Sequence, residues 1–322
     1  MMSRGLINYC CSCSPKITII WFISAFTFYF FFQMALRNSS SHDDINPNRP
    51  AISAQSSISN AEQRSILYAK MAKDLDENGA VFLRQGETSQ SLSLSDIFTL
   101  KDGTVTPVLK AANPPVRANV LHLNPEYAIP ISEAVKNILL PHFDKAIWFQ
   151  NSSMYHFSMF HASHHISPVP ATETEIEVEA SAIKTVTETI CPLNIFLDRV
   201  VLTSTGVLLG CWQVISGTDP VTIRTKLKTA LPRAPEKQLY NEVMLHTSFA
   251  RLLGPPNNLP EEGQKVSGIQ IFHELVNRVN NKIRGMKATV TELWYVEEYD
   301  MLALALNGKM KVREFHFGCS NA

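Results

Sequence analysis

Tyr155-His156-Phe157-Ser158-Met159 and, about ninety residues later, Leu245-His246-Thr247-Ser248-Phe249 decide how this chain reads. Both follow the pattern hydrophobic, histidine, any residue, serine, hydrophobic. In a strand, successive side chains alternate faces. His156 and Ser158 then point one way while Tyr155, Phe157 and Met159 point the other, and the second stretch divides in the same manner. Each strand presents an imidazole beside a hydroxyl, above an underside that fixes it to a core. One such tripeptide occurs by chance in many chains. Two, in strand context, with a helix, a hairpin and a second helix between them, are far more specific.

The pair suits phosphoester transfer. In-line attack at phosphorus needs a base on the attacking oxygen and an acid on the leaving oxygen, and imidazole serves as either near neutral pH. The hydroxyls can donate to the non-bridging oxygens, where charge gathers.

Working outward, residues 118–123 and 153–160 read as strands, and 131–140 as a helix stopped by Pro141. The spacing of Ile176, Ile183, Val186 and Ile190 predicts a helix over 173–190. Residues 194–203 and 207–215 read as a hairpin turned at Ser204-Thr205-Gly206. Asp219 ahead of Pro220 opens a helix over 220–231, and 269–284 reads as another. Three closing strands are expected at 289–297, 301–306 and 310–317, the last two joined at Asn307-Gly308. Helices alternating with mostly hairpin-joined strands indicate an α+β fold with antiparallel sheets.

The twice-repeated histidine motif resembles the two-histidine phosphoesterase superfamily, which includes RNA 2′,3′-cyclic phosphodiesterases related to bacterial RNA ligases. The resemblance covers residues 118–317 and extends to Arg251, to Val207-Leu208-Leu209-Gly210-Cys211-Trp212 and to Leu293-Trp294-Tyr295-Val296. More closely, the chain is similar to plant proteins described as RNA ligase/cyclic nucleotide phosphodiesterase-like. That implies a bilobal fold with outer helices and a central cleft. It implies His156 and His246 as catalytic groups working without metal or cofactor. It also implies Ser158, Ser248 and Arg251 as phosphate contacts and a cyclic nucleotide or RNA end as substrate. Serine stands where the family more often has threonine, which keeps the hydroxyl. The second reading is an inactive binding or scaffold protein on the same fold, told apart by binding without hydrolysis. Trp212 and Tyr295 are candidates to stack on a base. His161, His164 and His165 have either a zinc site or a loop bordering the cleft as their reading; no carboxylate or cysteine lies at ligand spacing.

Composition bounds the rest. The 322 residues are 45% hydrophobic and 18% charged, with 29 basic against 29 acidic side chains. The chain can bury a core, and a nucleic-acid coat protein, which needs excess positive charge, is excluded. Residues 17–36 form an uncharged apolar run of twenty, long enough at helical rise to span a bilayer. The expected organisation is a cytosolic tail at 1–16, an anchor at 17–36 and a stalk at 37–60. An accessory segment at 61–117 and the two-lobed domain at 118–318 follow. Arg4 and Lys16 precede the anchor with no acid, which predicts a type II protein of the endomembrane system (Golgi or endoplasmic reticulum) or plasma membrane. Asn38 and Asn151 head glycosylation sequons that would then be lumenal. Cys191, Cys211 and Cys319 allow at most one bridge among themselves.

Overall fold

The computed structural model describes residues 58–84, 88, 92–101, 103–257 and 268–319. The expected tail, anchor and nearly all of the stalk, with Asn38, lie outside them. Among the described residues no helix is long and apolar enough to cross a membrane.

Helix α1 (Asn60–Asn78) is capped by Ser59, whose hydroxyl accepts from the Glu62 N–H. A helical turn, α2 (Leu94–Ile97), and a small hairpin of β1 (Phe98–Lys101) and β2 (Thr104–Pro107) lead into β3 (Ala111–His122). Helix α3 (Pro125–Phe143) starts at an Asn124 cap with proline at its first position. It runs through Pro141 instead of stopping there. So near the C-terminal end a proline removes a single intrahelical bond, and the buried stripe of Ile131, Val135, Leu139 and Phe143 holds the last turn.

Next come β4 (Ile147–Phe149), β5 (His156–Ser163), α4 (Glu173–Thr187), β6 (Leu193–Leu202), β7 (Val207–Ser216) and α5 (Pro220–Ala230). A capping box between Thr172 and Glu175 starts α4. Gly206 closes the β6–β7 turn at φ 85°, a conformation that suits glycine. The chain ends with β8 (His246–Leu252), α6 (Gly268–Ile283), β9 (Lys287–Val290), β10 (Glu292–Asp300), α7 (Ala303–Leu306) and β11 (Met310–His316).

The strands form a four-stranded sheet, β11-β10-β3-β5, and a five-stranded sheet, β4-β8-β7-β6-β9, each antiparallel throughout. The α+β expectation therefore holds. Residues 301–306 are a correction: they form a helical turn at the tip of the β10–β11 hairpin, where a strand was expected. Leu302 and Asn307 both take left-handed conformations, the Glu298 carboxylate accepts from the Leu304 N–H, and Asp300 accepts from the Lys309 N–H. These polar ties curl an apolar stretch that periodicity alone presents as extended.

One continuous apolar core runs beneath both sheets and takes in Phe157, Leu245 and Phe249 from the two motifs. The Tyr155 and Phe249 rings meet there at 5.4 Å. The opposite face of β6 and β7 is covered by α1, with Tyr68 packed on Val201, Leu209 and Cys211. Its hydroxyl bonds the Trp212 and Leu245 carbonyls at 2.9 and 2.8 Å.

Candidate active site

Strand β5 carries His156 and Ser158, and β8 carries His246 and Ser248. All four line one cleft of about 490 Å³, together with Arg251. In each strand the pairing register slips directly after the serine. Ser158 faces Val120 while Phe160 faces Asn119, and Ser248 faces Leu209 while Ala250 faces Leu208. Each slip is a β-bulge, and one extra residue reverses the side-chain parity beyond it. Three positions past each serine, His161 and Arg251 therefore return to the cleft. The two strands pass one another in opposite senses. The Tyr240 ring lies 5.0 Å from His246, at the start of the second motif, and 6.3 Å from His161, beyond the end of the first.

Burial governs the electrostatics. His246 is pushed down to about 3, first by burial and then by the nearby His156 and Arg224. His156 is also held below its ordinary value by burial, but its Nδ1–H donates to the Met154 carbonyl at 2.8 Å, which works the other way. That bond fixes the neutral tautomer, because a carbonyl can only accept, and leaves Nε2 bare. His161 is depressed to about 3 by burial, with His164, His165 and His156 adding to it. Arg251 is lowered to about 10 by burial and so stays cationic at neutral pH; its buried Nη1 has no hydrogen-bond partner. A guanidinium with an unmet donor on a cleft wall is suited to an anion. Glu298, also on the cleft, is raised to about 7 by burial, against the Leu304 N–H that steadies its charge.

Two expected residues are misplaced for their expected task. Trp212 and Tyr295 are 0% exposed, so neither offers a face to a base. Trp212 lies edge-on to Phe157 within the core, and the Tyr295 hydroxyl donates to Glu179 at 2.7 Å. Both sit on the core-facing parity of their strands. The three clustered histidines do border the cleft, but His161 belongs to β5 itself and not to a loop. His164 is occupied at both nitrogens, accepting from the Ser167 N–H and donating to the Lys237 carbonyl. Among the described residues no group of three His, Cys, Asp or Glu could hold a metal ion. Asn151 is exposed, its carbonyl engaged by Ser153.

Sequence reasoning passed over Glu298 and Arg224. Glu298 carries no signal, since its burial depends on the curled 301–306 tip. Arg224 does carry one. It shares a helix face with Pro220, Ile223 and Leu227 at helical spacing, a position where an apolar residue is expected.

No family model matches the sequence, and no curated relative does. Among solved structures the chain is similar to TT0787 of Thermus thermophilus, at 12% identity and TM-score 0.44, covering 64% of this chain and 100% of that one. It is similar to LigT of E. coli, solved in complex with 3′-AMP, at 11% identity and TM-score 0.37, over 63% of this chain and 98% of that one. A structure described as a phosphoesterase matches at 12% identity and TM-score 0.36, over 63% and 99%.

Proposed function

We propose that this chain is a two-histidine phosphodiesterase that opens a 2′,3′-cyclic nucleotide phosphate or an RNA-end phosphodiester. The observation that carries the reading is the meeting of both motifs in one cleft, with both hydroxyls and the Arg251 guanidinium, whose buried Nη1 has no partner, beside them. His246, with burial and neighbouring charge against its cationic form, is the base that takes a proton from water. His156, whose Nδ1–H rests on a carbonyl that favours the cation, enters the reaction with a second proton on its Nε2 and is the acid that gives that proton to the departing ribose oxygen. Water adds to phosphorus, the cyclic P–O bond breaks, and a phosphomonoester leaves. Ser158, Ser248 and Arg251 bind the non-bridging oxygens as charge accumulates.

The chain is further read as a type II membrane protein anchored by residues 17–36, with the cleft on the oxidising side. The Cys191–Cys319 disulfide supports that orientation, since such bonds persist in secretory compartments. Endoglycosidase-sensitive mass lost in Asn151→Gln would agree with it, and an unglycosylated protein in secretory-pathway cells would count against it.

The deciding experiment is turnover of 2′,3′-cyclic AMP in EDTA. His156→Ala and His246→Ala are each expected to lower kcat by about 10²–10⁴-fold with circular dichroism unchanged. Wild-type activity in either variant overturns the assignment, and ligand binding without hydrolysis by the unmodified protein makes this a binding module.

A further inference from the structure

Arg224 is 8% exposed, in the middle of α5, and among the described residues no carboxylate forms an ion pair with it. Its guanidinium is instead shared among four backbone carbonyls. Nε donates to Met159 at 3.1 Å and Nη1 to Glu242 at 2.6 Å. Nη2 donates to Ser158 at 2.9 Å and to Met244 at 2.7 Å. Two of these acceptors lie at the serine end of the first motif, and two lie just before the histidine of the second.

That distribution is unusual for a buried cation. β5 and β8 belong to different sheets, so no ladder hydrogen bonds fix one against the other. Apolar contact of Tyr155 with Phe249 joins their undersides, but such contact tolerates sliding. A planar fork with fixed donor directions does not. It reaches the Ser158 and Met159 carbonyls, where the bulge lies, and the Glu242 and Met244 carbonyls that lead into His246.

We propose that Arg224 is a positioning residue that clamps the two histidine motifs together and so sets the separation of His156 from His246. The clamp rests on the phosphodiesterase reading for its purpose, and on the four hydrogen bonds for its existence. Base and acid must stand at a fixed span on either side of one phosphorus. A displacement of about 1 Å in such a pair is worth on the order of 10² in rate. Arg224 touches neither substrate nor reacting atoms in this scheme; beyond the charge it sets against a protonated His246, which Arg224→Lys retains, it acts through the strands it holds.

The test is Arg224→Lys in the full chain, which keeps a buried cation but cannot serve four acceptors in a fixed plane. Expected is a fall in kcat for 2′,3′-cyclic AMP of about 10- to 100-fold, with KM held within about threefold. Amide hydrogen exchange should quicken in peptides covering 156–163 and 242–252 while 193–202 keeps its wild-type protection. Arg224→Gln should exceed Arg224→Lys on both measurements. Unchanged exchange at 156–163 and 242–252, or a uniform rise across every strand, overturns the clamp, as does an unchanged kcat. If the unmodified protein turns over no cyclic nucleotide, the functional reading fails while the exchange comparison still decides the clamp.

Discussion

Burial holds the imidazoles of His161 and His246 well below their ordinary value, and this has a consequence for stability. His161 and His246, depressed to about 3 from 6.5, take up protons in the unfolded chain well before they do in the folded one. Where the unfolded state binds more protons, stability rises with pH. The protein is therefore expected to lose stability as pH falls from 6.5 toward 3, at no more than about 1.4 kcal/mol per pH unit for each such group. Melting temperature between pH 7.5 and 4.5 measures it, and His161→Leu should flatten the fall; an unaltered slope in that variant contradicts the assignment. Glu298 works in the opposite sense. Raised to about 7 from 4.5, it costs stability increasingly as pH rises between those values. Glu298→Gln keeps the acceptor for the Leu304 N–H and should stabilise the protein at pH 8 by up to about 3 kcal/mol, with no gain at pH 4. Equal gains at both would show that the carboxyl was never perturbed.

At the level of elements, the strands, helices and caps follow from local chemistry, and the bulges do not. Strict alternation puts His161 on the face opposite His156, and Arg251 opposite His246. The slip after Ser158 and after Ser248 reverses both. A bulge depends on what the neighbouring strand presents, which no single strand's sequence contains. At Gly210, opposite Thr247, an added Cβ would stand 2.3 Å from Cζ of Phe249, the residue at the second slip. Phe249 is fully buried and cannot swing aside. Gly210→Ala is thus expected to cost about 1–3 kcal/mol in denaturant unfolding and to lower kcat through β8. Full stability and activity in that variant would mean β8 yields more easily than its packing implies.

Across the molecule, the Cys191–Cys319 bond ties the end of the chain to the start of β6, 128 residues earlier in sequence. Cys319→Ser should lower stability by about 2–5 kcal/mol, and a reductant should reproduce the loss in the unmodified protein. A melting temperature indifferent to both would remove the bond from the account. The two motifs, their strand character, the antiparallel α+β class and the undersides that enter the core were all legible beforehand, because period, turn chemistry and caps are local properties of the chain. The stretch 301–306 departs from the strand its periodicity suggests because its curl is imposed by Glu298 and Asp300 from the neighbouring strand. Trp212 and Tyr295 could not be placed from composition, since an aromatic side chain is equally at home in a core or a cleft. That His156 and His246 share a hollow, that Cys191 reaches Cys319 and that Arg224 binds two strands at once are relations between residues distant in sequence. The order of residues settles which side chains a strand can offer; only packing settles which of them meet, because that depends on the shape of surfaces no local stretch encodes.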